Sequence, residues 1–129
     1  MGNKKILIVD DDPDVRQGMY VRLKANGYDV FLAADAPSSM IEARKHEPDL
    51  VILDLGLPAG DGFLVMERLG TFRALAVIPI IVVSGRDSYQ NRERALRAGA
   101  KAFLRKPLDN AELLAVIRRV LGEPVDQGN

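Results

Sequence analysis

Residues 5–13 read Lys5-Ile6-Leu7-Ile8-Val9-Asp10-Asp11-Asp12-Pro13, an aliphatic run that stops at three acids and a proline. Lys5 to Val9 reads as a strand. Unbroken Ile, Leu and Val leave neither face for water, and strands buried on both faces belong to parallel sheets covered by helices. Asp12 with Pro13 reads as a helix start. A carboxylate at the N-cap accepts from the free N–H groups of the first turn, and proline at the first helical position sacrifices no hydrogen bond.

The same alternation extends along the chain. Further strands are expected at Tyr28 to Ala33, Leu50 to Leu53, Ile80 to Val83 and Ala102 to Leu104. Helices are expected at about Pro13 to Asn26, Ser38 to Lys45, Phe63 to Leu69, Tyr89 to Ala98 and Ala111 to Leu121, where apolar residues recur at three and four. Val15, Met19 and Leu23 make the inward stripe of the first helix, and Leu113, Ile117, Val120 and Leu121 that of the last. Gly27 and Gly99 suit helix C-termini, and Pro48 drives Glu47 out of helical geometry. Five strand–helix pairs predict an α/β fold, a doubly wound parallel sheet with helices on both faces. Residues 1–122 are expected to form one domain. The aperiodic segment 123–129 reads as a tail or truncated linker.

At 129 residues, 47% apolar and 28% charged, the chain has the composition of a single globular domain with its own core. It has no cysteine and one histidine, which excludes thiolate chemistry, disulfides and a zinc site. Eighteen Lys and Arg balance eighteen Asp and Glu, so no global field draws the chain to nucleic acid. No apolar run approaches the ~20 residues that span a bilayer, and no signal-peptide pattern opens the chain. No membrane or direct nucleic-acid partner is expected, and a cytoplasmic location is. His46 reads as a surface residue complementing a helix C-terminus. Tyr20 and Tyr28 read as packing residues, and Arg92, Arg94, Arg97, Arg118 and Arg119 as solvated helix faces.

In an open parallel sheet, ligands bind outside the carboxyl ends of the strands. Asp10, Asp11 and Asp12 lie there, with Asp54 after strand three, Ser84 after strand four, and Lys106 and Pro107 after strand five. Capping accounts for Asp12. It does not account for Asp54, which precedes a loop. Carboxylates drawn together repel by about 4 kcal/mol per pair at 4 Å and an effective dielectric of 20, so such a pocket takes up protons or a cation. Its oxygen-rich character suits Mg²⁺. A lysine and a hydroxyl opposite the acids suit a phosphoryl group, with a carboxylate as the nucleophile that forms an acyl phosphate.

These residues resemble the receiver domains of two-component response regulators, over about Lys4 to Gly122. The resemblance rests on the acids of Ile6-Leu7-Ile8-Val9-Asp10-Asp11, on Asp54-Leu55-Gly56-Leu57-Pro58-Ala59-Gly60-Asp61-Gly62, on Val82-Val83-Ser84-Gly85, and on Gly99-Ala100 leading to Lys106-Pro107. It implies a flavodoxin-like sheet of order 2-1-3-4-5. It implies that Asp54 takes a phosphoryl group from the phosphohistidine of a sensor kinase or phosphotransfer protein, without the chain being an enzyme on other substrates. Asp11 would be the main Mg²⁺ carboxylate, Asp10 a nearby one acting through water, and the Gly56 carbonyl a further ligand. Lys106 and Ser84 would bind phosphoryl oxygens, Phe103 would be the switch aromatic, and a cis bond before Pro107 would aim Lys106 into the pocket. The switched surface would be the fourth helix, fifth strand and fifth helix, facing an effector or output domain that the sequence does not name. Leu57 and Gly60 stand where family members often carry Met. Lys101-Ala102 replaces the acidic pair usual in winged-helix regulators.

Two other readings fit parts of the chain. Val9-Asp10-Asp11-Asp12 also matches a strand followed by DxD, the start of a haloacid-dehalogenase-like phosphatase with Asp10 as nucleophile. The other is a flavodoxin-type binder, which would need a glycine-rich phosphate loop after strand one that this sequence lacks.

Overall fold

The computed structural model describes residues 2–57, 61–85 and 89–124. Pro58, Ala59 and Gly60 of the Asp54–Gly62 motif, and 125–129 of the expected tail, lie outside the described residues. Five strands, β1 (Lys5–Val9), β2 (Asp29–Ala33), β3 (Leu50–Asp54), β4 (Ile80–Ser84) and β5 (Ala102–Arg105), pair in parallel in the order β2-β1-β3-β4-β5. Helices α1 (Pro13–Ala25), α2 (Ala36–His46), α3 (Asp61–Gly70), α4 (Tyr89–Arg97) and α5 (Asn110–Leu121) alternate with them. The flavodoxin-like order expected from the family resemblance is the one observed.

Alternation along each strand splits the aliphatic residues between two cores. Leu7, Val9, Val51, Leu53 and Val82 pack with Ala43, Val65, Leu69 and Ala95 of α2, α3 and α4. Ile6, Ile8, Leu50, Ile52, Ile81 and Val83 pack with Met19, Leu23, Leu113 and Ile117 of α1 and α5. Every residue of β3 and β4 is buried. Each fully buried aliphatic side chain contributes about 1.5–3 kcal/mol, which is why continuous hydrophobic strands were the strongest signal in the sequence.

The strands run further than their aliphatic residues. Asp54 is the last residue of β3, opposite Val83, and Ser84 the last of β4, opposite Arg105. A polar residue is compatible with a ladder at the carboxyl edge, because its side chain meets the crevice there. α2 starts at Ala36, two residues ahead of expectation. Asp35 caps it by accepting from Ser38 N at 2.8 Å, while Ser38 Oγ accepts from Asp35 N at 3.4 Å. Pro37 in that first turn was the overlooked start signal. Glu47 leaves the helix into the left-handed region (φ 45°, ψ 64°), where the proline rule alone would have placed it in extended geometry. An extra helical turn, Arg73–Ala76, is too short to show periodicity.

Helices α1 and α4 end on glycines with φ of 89° and 108°. After α1, Tyr28 N donates to Leu23 O and Gly27 N to Lys24 O, and after α4, Ala100 N donates to Ala95 O and Gly99 N to Leu96 O. These paired bonds fill the last helical carbonyls around a left-handed residue.

Three side chains read as bland have specific partners. The His46 ring is half-buried and stacks on Phe31 with centroids 3.7 Å apart, where a surface position was expected. Arg94 is exposed, as expected, and its guanidinium also lies 3.7 Å from the Phe63 ring centroid. Tyr28 packs as expected and also donates 2.7 Å to Glu123 Oε1, tying the chain beyond α5 to the start of β2. Burial, then the hydrogen bond and charge of Glu123, push its phenol up to about 12 against the opposing charge of Arg118.

Candidate functional site

The carboxyl ends of β1, β3 and β5 deliver four charged side chains to one pocket. Asp10 follows β1 with no exposed surface, and its N–H donates to Ala33 O at 3.1 Å. Its Oδ1 accepts from Asp12 N at 2.9 Å, which bends the chain so that Asp11 emerges toward solvent beside it. Asp54 is 5% exposed, and its Oδ1 accepts from Gly56 N at 3.0 Å. Carboxylate oxygens of Asp10, Asp11 and Asp54 all lie within 4.8 Å of one another. Lys106 brings its Nζ to 2.8 Å from Asp10 Oδ2 and 3.3 Å from Asp54 Oδ2. Its own N–H is anchored on Ser84 O at 2.9 Å, and the Lys106–Pro107 peptide is cis.

Among the described residues three carboxylates meet one ammonium here, an excess of negative charge. Partial burial pulls the Lys106 pKa down, but the close approach and charge of Asp10, followed by those of Asp54, outweigh it and hold the pKa raised. The lysine is therefore a fixed cation here. Among the described residues Asp10 Oδ2 has no hydrogen-bonding partner besides the Lys106 ammonium 2.8 Å away. A fully buried carboxylate oxygen with unfilled lone pairs, at the edge of a cluster of hard oxygen donors, fits a small divalent cation such as Mg²⁺. The donor set fits the metal implied by the acidic motif.

The structure therefore brings Asp10, Asp11, Asp54 and Lys106 into contact range. Ser84 is buried at the same sheet edge, one residue past the Val83 that faces Asp54. Gly56 contributes an N–H to Asp54, and its missing side chain leaves the carboxylate open: a Cβ there would lie 3.5 Å from Oδ1. Phe103 is half-buried on β5 and packs against the core under α2, α3 and α4. Asp12 caps α1 through Asp14 N and Val15 N, as expected.

Two contributors had gone unread. Gly62 N donates to Leu55 O at 3.1 Å, and a Cβ on Gly62 would meet Asp54 O at 2.7 Å and Leu55 Cα at 2.8 Å. Only glycine lets α3 start this close to the end of β3. Arg16, on the first turn of α1, donates from Nη1 to Asp10 O at 2.7 Å. Its place six residues after Asp10, one turn into the capped helix, was the available signal.

With this geometry in place, comparison with known proteins assigns the class. Residues 6–118 match the family model of the response regulator receiver domain, and the chain belongs to that family. It is 38% identical over 117 residues to the DNA-binding dual master transcriptional regulator RpaA of Synechocystis, covering 91% of this chain and 48% of that protein. It is 39% identical over 116 residues to the KDP operon transcriptional regulatory protein KdpE of Escherichia coli, covering 90% of this chain and 50% of that one. The chain thus spans about half the length of the curated relatives it matches. Among solved structures, the receiver domain of the Pseudomonas aeruginosa sensor histidine kinase PA1611 superposes with a TM-score of 0.86 at 29% identity, covering 95% of this chain and all of that one. That structure holds a magnesium ion in its active-site cleft. The chain is a receiver domain of the two-component response-regulator class, a signalling module. The phosphatase reading is not supported by this membership. Among the described residues no helix is long and apolar enough to cross a membrane.

Proposed function

We propose that Asp54 is the phosphoacceptor of this receiver and that Lys106, Ser84 and a Mg²⁺ held by Asp10, Asp11, Asp54 and the Gly56 carbonyl serve its phosphorylation. The observation that carries the reading is the Asp54 carboxylate at the end of β3, held between Gly56 N and Lys106 Nζ inside a three-acid cluster. One Asp54 oxygen attacks the phosphorus of a partner's phosphohistidine. The O–P bond forms as the N–P bond breaks, and the imidazole departs with the electron pair. Lys106, held protonated by the acids around it, takes up charge that accumulates on the phosphoryl oxygens. Ser84 at the neighbouring strand end offers a hydroxyl to another of these oxygens. When bound, Mg²⁺ supplies a Lewis acid that offsets repulsion between the carboxylate and the incoming anion. In this reading the partners are a sensor kinase or phosphotransfer protein and an effector that reads α4, β5 and α5. Residues 1–122 are the receiver unit, 123–129 a C-terminal tail or truncated linker, and the cytoplasm is the compartment.

Phe103 is proposed as the switch aromatic. A hydrogen bond to a charged group is worth about 1.5–3 kcal/mol, so a phosphoryl–Ser84 contact shifts a two-state equilibrium by roughly ten- to a hundredfold. Phe103 has no hydroxyl to bury unpaired, so an inward rotamer carries no such penalty. Beryllofluoride with Mg²⁺ tests this on ¹⁵N-labelled protein. Amide shifts are expected around Asp54, from Ser84 to Lys106 and along α5, with α2 quiet, and Phe103→Ala should keep the first set while shrinking those on α4 and α5. Absence of any shift near Asp54 would refute the site, and distant shifts of undiminished size in Phe103→Ala would refute the switch.

A further inference from the structure

The carbonyl of Asp10 ought to continue the β1–β2 ladder. In a parallel pair, a residue whose N–H donates to residue j accepts through its C=O from residue j+2. Asp10 N donates to Ala33 O, so the matching donor for Asp10 O would be Asp35 N. That N–H is diverted: it donates to Ser38 Oγ in the capping box of α2. The vacancy is filled from the other side of the sheet edge by Arg16 Nη1, 2.7 Å from Asp10 O. Arg16 forms no ion pair with a carboxylate among the described residues. Its half-buried guanidinium is thus committed to the main-chain oxygen of one of the three clustered acids.

That oxygen belongs to the peptide joining Asp10 to Asp11. Asp10 is locked by burial and by its bond to Asp12 N, but Asp11 is exposed and lies past the end of the strand. Its direction is set by the turn that the Asp12 N–Asp10 Oδ1 bond closes and by the plane of this peptide. We infer that Arg16 is a positioning residue for the cation site: by holding the Asp10 carbonyl it fixes the Asp10–Asp11 peptide, and so aims the Asp11 carboxylate at the space shared with Asp10 and Asp54. The inference rests on the proposed metal reading of the same acids.

Charge and positioning make opposite demands, which allows a clean test. Deleting a cation beside a cation site should tighten Mg²⁺ binding by electrostatics alone. Losing a residue that orients a ligand weakens metal binding, typically by about 10- to 100-fold. Isothermal titration with Mg²⁺ is therefore run on wild type, Asp11→Ala, Arg16→Ala and Arg16→Lys. Arg16→Ala should bind about tenfold more weakly than wild type. Arg16→Lys keeps the charge but shortens the reach and loses the planar fork, so it should fall between the two. It also carries the test if the alanine variant does not fold. Unchanged or tighter binding in Arg16→Ala, or wild-type binding in Arg16→Lys, would overturn the positioning role while leaving the metal site intact. A wild type that shows no Mg²⁺ binding, or one whose binding survives Asp11→Ala unaltered, would instead overturn the metal reading and this inference with it.

Discussion

Replacing Gly62 by alanine adds one methyl group where α3 meets the end of β3. The new carbon would stand 2.7 Å from Asp54 O, 2.8 Å from Leu55 Cα and 3.2 Å from Leu55 Cδ2. The leucine methyl can turn aside, but the other two atoms are main chain and cannot. The first turn of α3 must withdraw, which costs about 1–3 kcal/mol as overpacking. The Gly62 N to Leu55 O bond then lengthens or breaks, at about 0.5–1.5 kcal/mol. Alanine returns about 0.5–1 kcal/mol through its lower backbone entropy in a helix. The net expectation is a loss of about 1–3 kcal/mol, together with displacement of the main chain that carries Asp54. Gly18→Ala is the control. Gly18 lies within α1, and nothing stands within 4 Å of its would-be Cβ, so the same exchange should stabilise by about 0.5–1 kcal/mol. Urea unfolding gives both numbers as midpoint changes at constant slope. A Gly62→Ala protein as stable as wild type, or a Gly18→Ala protein that loses as much as Gly62→Ala, would refute the close-approach argument.

Two further outcomes follow from the electrostatics. Lys106→Met leaves Asp10 and Asp54 buried without the cation that pairs with them among the described residues. Metal-free stability should fall by about 2–3 kcal/mol, below the full buried-pair range because a fifth of the lysine side chain is exposed, and Mg²⁺ should raise the melting temperature more than in wild type. An unchanged Mg²⁺ response would show that Lys106 and the cation do not share these acids. In alkaline ultraviolet titration, the difference between wild type and Tyr28→Phe should report a phenol ionising near 12. Because the folded value is raised above the usual 10, the stability this phenol contributes is complete below about pH 10 and is lost as pH rises through 12. A difference midpoint near 10 would show that burial and Glu123 do not protect it.

The sequence disclosed the elements whose burial dominates the energetics. Continuous aliphatic strands, Asp12-Pro13 and the left-handed glycines Gly27 and Gly99 each act locally, so a local reading finds them. Asp54, Lys106 and Ser84 were legible because each follows an aliphatic run, and a parallel sheet sends every such edge to one side. What escaped depends on contacts distant in the chain. Gly62 looks like an ordinary helix-start glycine until the backbone of Asp54 is seen against it. Arg16 looks like a solvated helix arginine until the Asp35 N–H, about twenty residues on, is found committed elsewhere. His46 looked like a surface residue because its stacking partner, Phe31, sits on another element. The start of α2 was misplaced for a local reason, since Asp35-Ala36-Pro37-Ser38 carries a capping signal that the apolar periodicity masked.

The assignment of Asp54 is tested by intact-mass measurement after incubation with acetyl phosphate and Mg²⁺. Wild type should gain the mass of one phosphoryl group, peptide mapping should place it on Asp54, and Asp54→Asn should gain nothing, because an amide is a poor nucleophile. A mass gain in Asp54→Asn equal to that of wild type, or a label mapped to Asp10 or Asp11, would contradict it.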